Sequence, residues 1–162
     1  MWTYRFWIVL VGMLMMSPLG ADDWRYDGSQ NEKILKLIEV LPGTSHWMFE
    51  IGERYKNLYW AAKLAKWEFA EYQVEEIEKL VQLVQLTRPK RAETAQVFID
   101  DAIPQIEQAV ESKEWTVFEQ GFQQLSSACM QCHVENEHAF ITLPAQPDSA
   151  SSPVLNIGVS NR

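Results

Sequence analysis

Apolar residues recur along this chain at spacings of three and four, the period of helices that bury one face. The first stripe is short: Ile34, Leu35, Leu37, Ile38 and Leu41. It follows Ser29-Gln30-Asn31-Glu32, which has the spacing of a capping box, and stops at Pro42-Gly43. Such a helix is expected to act as a packing lid over the end of a bundle. A longer stripe of Met48, Ile51, Tyr55, Leu58 and Ala62 predicts a helix from Thr44 or Ser45 to about Ala65. The next carries Trp67, Ala70, Val74, Ile77, Val81 and Val84 on one face. Pro89 can open a third long helix at its first turn, with Ala92, Ala95, Ile99, Ala102, Ile106 and Val110 inward and a kink expected at Pro104. The fourth begins near Glu114 and reads Trp115, Phe118, Phe122, Leu125, Cys129 and Cys132.

A constant shift of 48 carries the second of these long stripes onto the fourth, and Ile51, Tyr55, Leu58 and Ala62 onto Ile99, Ile103, Ile106 and Val110. Two copies of a helical hairpin would produce that register, and so could bundle geometry alone. The expected fold is all-α, an antiparallel four-helix bundle over residues 44–140. A short extra helix lies in the segment 22–43 before it. Beyond the bundle, Pro, Ser, Ala and Asp without periodicity predict a disordered tail over residues 141–162.

The first 21 residues read differently. Arg5 is followed by an apolar run from Phe6 to Met16 and then by Ser17-Pro18-Leu19-Gly20-Ala21. This is the layout of a secretory signal peptide, and eleven apolar residues are too few to span a bilayer. Loss of Arg5 with the leader lowers Lys plus Arg from 14 to 13 against 22 Asp plus Glu. So acidic a chain is a poor partner for nucleic acid or an anionic membrane surface. Export to the periplasm, with no membrane association after cleavage, is the expectation.

Candidate chemistry gathers in Cys129-Met130-Gln131-Cys132-His133, the only cysteines in the sequence. C-x-x-C-H is the signature of covalent attachment of a c-type haem. Two thiols three residues apart can add across the two vinyl groups of one porphyrin, and the adjacent imidazole can reach the iron. Both cysteines continue an apolar stripe and His133 follows Cys129 by one turn, so all three should project to one place in the bundle. Trp115, Phe118 and Phe122 would form an aromatic wall beside it. A disulfide or half a zinc site remain alternatives for the bare C-x-x-C. A thioredoxin-like use would want strands, which the pattern lacks, and zinc would want four ligands.

A C-x-x-C-H in the last helix of an exported four-helix bundle resembles the class II cytochromes c, the cytochrome c′ group. The resemblance implies one covalent haem c on Cys129 and Cys132, with His133 as proximal iron ligand. Low-spin members of that group take an axial Met from near the start of the first bundle helix, and high-spin members place an apolar residue there. Met48 occupies about that place and is the candidate distal ligand; His46, two residues away on a solvated face with Glu50, Glu53 and Asn57, is the alternative. His138 shares a helix with His133 and is expected at the surface. Arg54, Lys56 and Arg88 are candidate partners for the haem propionates. Where the group often carries a basic residue after the proximal His, this chain has Glu137 at the fourth position on. A carboxylate there would strengthen the imidazole as a donor and lower the reduction potential.

The expected function is electron transfer in the periplasm to redox proteins with basic docking patches. No catalytic constellation accompanies the motif, so no enzyme activity is expected. The alternative is a five-coordinate haem protein that binds nitric oxide or another diatomic gas, its distal face lined by Tyr55 and Phe49. A second alternative is a non-haem interaction module with a Cys129–Cys132 disulfide. The resemblance also implies a homodimer through the first two bundle helices, with Trp60 a candidate contact.

Overall fold

A computed structural model describes Asp23 and residues 25–148, and its regular structure is all-α. The expected signal peptide lies outside the described residues. Among those described, no helix is long and apolar enough to cross a membrane.

Helix α1 (Gln30–Glu39) begins at the expected capping box. The Ser29 amide donates to Glu32 Oε2 at 2.7 Å, and the Glu32 amide donates to Ser29 Oγ at 3.3 Å. It belongs to a separate compact unit that ends at Leu41. None of its residues is buried, and Leu35 is 65% exposed.

The second unit holds four long helices: α2 (Thr44–Lys63), α3 (Trp67–Thr87), α4 (Ala92–Glu111) and α5 (Trp115–Glu135). Their bounds obey the shift seen in the sequence. α2 and α4 start and end 48 residues apart, and so do α3 and α5. The turns match too. Ala65 and Lys113, again 48 apart, both take left-handed backbone angles, φ 54 and 55°. That conformation lets the Lys66 amide reach back to the Ala61 carbonyl at 2.8 Å and closes α2 without a glycine. Pro89 opens a 3-10 turn (Pro89–Arg91) that leads into α4, rather than α4 itself. α4 runs on through Pro104, which lies on its exposed side where water can pair with the freed carbonyl.

Consecutive helices pack along their lengths, while α2 meets α5 over a shorter stretch. The core between them is built from fully buried Leu58, Ile77, Ile106, Phe118, Phe122 and Leu125. α4 and α5 approach so closely that a Cβ on Gly121 would stand 2.6 Å from that of Ala109. Between α2 and α5 an aromatic ladder fills the gap instead. Tyr55 stacks on Phe122 at 4.4 Å between centroids, Tyr59 meets Trp115 edge-on at 5.5 Å, and Phe118 joins Trp115 and Phe122. The ladder leaves the gap open at the end where α2 begins and α5 finishes.

After α5, Glu137 turns the chain with φ 66° and the His138 amide returns to the His133 carbonyl at 2.7 Å. The next residues carry no helix or strand, yet the expected disordered tail is tied down as far as it is described. Tyr55 Oη donates to the Pro144 carbonyl at 2.8 Å and Trp60 Nε1 to that of Pro147 at 3.1 Å. Pro147 is buried, and Leu143 packs against the core. Residues 149–162 lie outside the described residues.

Candidate functional site

The open end of the α2–α5 gap is a cavity of about 680 Å3, lined mainly by apolar atoms. That falls among the roughly 300–1,000 Å3 clefts that hold cofactor-sized ligands. Cys129, Cys132 and His133 of α5 line it on one side, and Met48, Phe49, Ile51 and Tyr55 of α2 on the other. Val81, Val84, Ala95 and Phe98 supply its back from α3 and α4. Residues 141–144 pass along its edge. The helical period explains the convergence: Met48 and Tyr55 share a stripe on α2, as Cys129 and Cys132 do on α5.

Each thiol is free and half-buried. Burial pushes the Cys129 thiol up to about 12. Cys132 is raised as well, chiefly by burial, while the Thr94 hydroxyl, Asn136 and Arg91 act in the opposite sense. Position on the helix works in the same direction as burial. Both sulfurs sit in the last two turns of α5, at the negative end of its dipole. A redox dithiol wants the reverse, a helix N-terminus and a stabilised thiolate. These are thiols held neutral against an apolar cavity.

His133 contacts the Ile141 carbonyl through Nδ1 at 3.1 Å. A carbonyl can only accept, so Nδ1 carries the proton and Nε2 keeps a lone pair for a metal. Among the described residues, no group of three His, Cys, Asp or Glu is arranged to hold a metal ion on protein donors alone. A haem iron makes no such demand, because the porphyrin supplies four donors and the chain only the axial ones. The residues present therefore fit a covalently attached haem: two free thiols, an imidazole with a fixed tautomer and an apolar cleft.

Of the distal candidates, Met48 is half-buried, packs against the core and lines the cavity. His46 is exposed and does not line it. His138, expected at the surface, lines the cavity because the turn at Glu137 swings it back. Its Nδ1 lies 2.6 Å from the Asn136 carbonyl. That same turn removes the basis for Glu137 as a partner of the imidazole: α5 ends at Glu135, Glu137 is exposed, and Ile141 takes the Nδ1 proton instead.

The proposed cationic partners also sort themselves. Lys56 lines the cavity, paired with Glu53. Arg54 lies outside it, paired with Glu50 at 2.8 Å and set over the Tyr72 ring. Arg88 is spent on the carbonyls of Thr87 and Pro42. Arg91, which the sequence did not single out, lines the cavity and donates to Thr44 Oγ1 and Asn136 Oδ1. Asn136 in turn donates to Thr94 Oγ1 at 2.8 Å and approaches Cys132 Sγ at 3.6 Å. The aromatic wall lies deeper than expected: Trp115, Phe118 and Phe122 are absent from the lining, which Tyr55 links to them by its stacking on Phe122. Trp60, expected as a surface contact, is half-buried and engaged with Pro147.

Compared with protein-family models, with characterised proteins and with solved structures, the chain shows no match.

Proposed function

We propose that this chain is an exported c-type cytochrome of the class II kind, an electron carrier with one covalent haem c. Cys129 and Cys132 hold the haem as thioethers, His133 is the proximal iron ligand and Met48 the distal one. The haem, when bound, supplies a one-electron couple. The chain's own residues attach it, orient the imidazole through Ile141 and shield it with apolar side chains. The observation that carries the reading is that these four residues, from helices far apart in sequence, line one apolar cavity. The helix-end position and protonated state of both thiols favour it over a dithiol catalyst. Thioether attachment outside the cytoplasm agrees with the leader-like first 21 residues.

The test is expression with its leader in a host that has the cytochrome c maturation machinery. A haem absorption that survives denaturation and acid extraction, and is lost in Cys129→Ala plus Cys132→Ala, is the expected result. Purification without any haem band, together with a Cys129–Cys132 disulfide by mass, would sink it and leave the interaction module.

A further inference from the structure

Resting on the haem reading for its purpose but not for its geometry, we infer that residues 141–147 form a strap that positions His133, with Tyr55 and Trp60 as its anchors. The strap makes three ties at intervals of three residues, through the carbonyls of Ile141, Pro144 and Pro147. The chain bends at Ala145 and Gln146, between the second and third ties. Both of those ties come from α2, whose Tyr55 and Trp60 stand roughly 7.5 Å apart along its axis.

The first tie sets the tautomer of His133 and limits rotation of its ring, which is what an outer partner does for a metal-binding imidazole. The other two, in this proposal, limit how far the segment carrying the Ile141 carbonyl can drift from the ring. The turn after α5 holds the near end of the strap, where the Ile141 amide donates to the His138 carbonyl at 2.9 Å, and side chains of α2, the opposite wall of the cleft, hold its far end. Tyr55 suits this role. It is 2% exposed, its ring stacks on Phe122, and its hydroxyl donates to the Pro144 carbonyl of the strap. α2 thus orients a ligand that belongs to α5. Tyr55 and Trp60 are positioning residues.

Two measurements on the full chain test this. In the haem-free protein at neutral pH, nitrogen NMR of the His133 ring should find mainly the Nδ1–H tautomer. Tyr55→Phe and Trp60→Phe, each keeping an aromatic ring in place, should shift the ratio toward Nε2–H by about fivefold, the factor one ordinary hydrogen bond carries. In the haem-loaded protein the same variants should raise the reduction potential, because an imidazole without its carbonyl partner is a weaker donor to ferric iron. Hydrogen exchange of the strap amides should quicken in both forms. A wild-type ring in the Nε2–H form, or a strap that loosens while tautomer and potential stay fixed, would overturn the proposal and reduce the strap to a cover. Failure to load haem at all would refute the haem reading instead, and the tautomer ratio would still decide this one.

Discussion

Met48 and His46 stand two positions apart on α2, about 200° around the helix, so only one can face α5. It is Met48 that lines the cavity, beside residues of the Ile51 and Tyr55 stripe. Replacing it with Ala should convert a low-spin spectrum to a high-spin one whose ferrous form takes up carbon monoxide, while His46→Ala leaves the spectrum unchanged. A high-spin wild-type protein would instead favour the gas-binding alternative. Gln73 makes a different residue-scale prediction. It is fully buried, and neither its carbonyl oxygen nor its amide nitrogen has a hydrogen-bond partner. Gln73→Leu should raise stability by about 1–3 kcal/mol in denaturant melts, since it removes two unpaired polar atoms of similar volume. Tyr55 links to pH. Burial pushes its hydroxyl up to about 12 from an ordinary value of 10.0, so the neutral form is the one the fold favours. Its contribution is complete below pH 10 and is lost as pH rises toward 12, on the order of 2 kcal/mol. Tyr55→Phe should flatten that alkaline fall in melting temperature. Periodicity put Met48, Cys129 and Cys132 on inward stripes, and all three line the cavity. It could not find Gln73, a polar side chain that reads as surface, or Arg91 and His138, whose places depend on turns between helices.

At the scale of elements the chain is two hairpins of one design, and the turns carry a shared strain. Ala65 and Lys113 hold left-handed angles that cost a residue with a Cβ roughly 1–2 kcal/mol. Ala65→Gly or Lys113→Gly should therefore stabilise the bundle by up to about 1 kcal/mol once the glycine's own entropy is set against the relief. Chemical denaturation of each variant reads this directly. The hairpins differ where their helices meet. Gly121 lets α5 close onto Ala109, whereas the residue 48 earlier is Gln73. Gly121→Ala should destabilise by about 1–3 kcal/mol, because the clash is with a fixed Cβ on a packed helix. Helix bounds were largely legible because apolar spacing and the capping box act locally; Pro89 marked the 3-10 turn before α4 rather than its first residue. The shift of 48 was legible for the same reason, and the structure extends it to the turns. The strap was not. It is held through its backbone carbonyls, which leave no side-chain signature, and its two prolines with no apolar period read as a chain that cannot bury a face.

Over the whole bundle, charge and cavity are segregated. Glu71, Glu75 and Glu78 of α3 stand near Glu107 and Glu111 of α4, and Glu107 is raised above its ordinary 4.5 by burial and by these neighbours. The cavity has Lys56 and Arg91 in its lining, with Glu53 its one acidic lining residue. Mutual repulsion across α3 and α4 opposes folding at neutral pH. A raised carboxyl contributes most below its ordinary value and loses that contribution as pH climbs through the folded one. Glu107→Gln should therefore stabilise at pH 7 by a few tenths of a kcal/mol, and the gain should vanish below about pH 4 and shrink in high salt. A belt that weakens the fold has a use if it steers the protein toward basic redox partners, since long-range attraction raises association rates without close contact. Replacing Glu71, Glu75 and Glu107 together with Gln tests both halves at once in the haem-loaded protein. If the belt steers, electron transfer to a lysine-rich acceptor slows at low salt, converges with wild type at high salt, and the variant melts later. A variant that melts later but transfers electrons at the wild-type rate at every salt concentration would leave the belt with no part in docking.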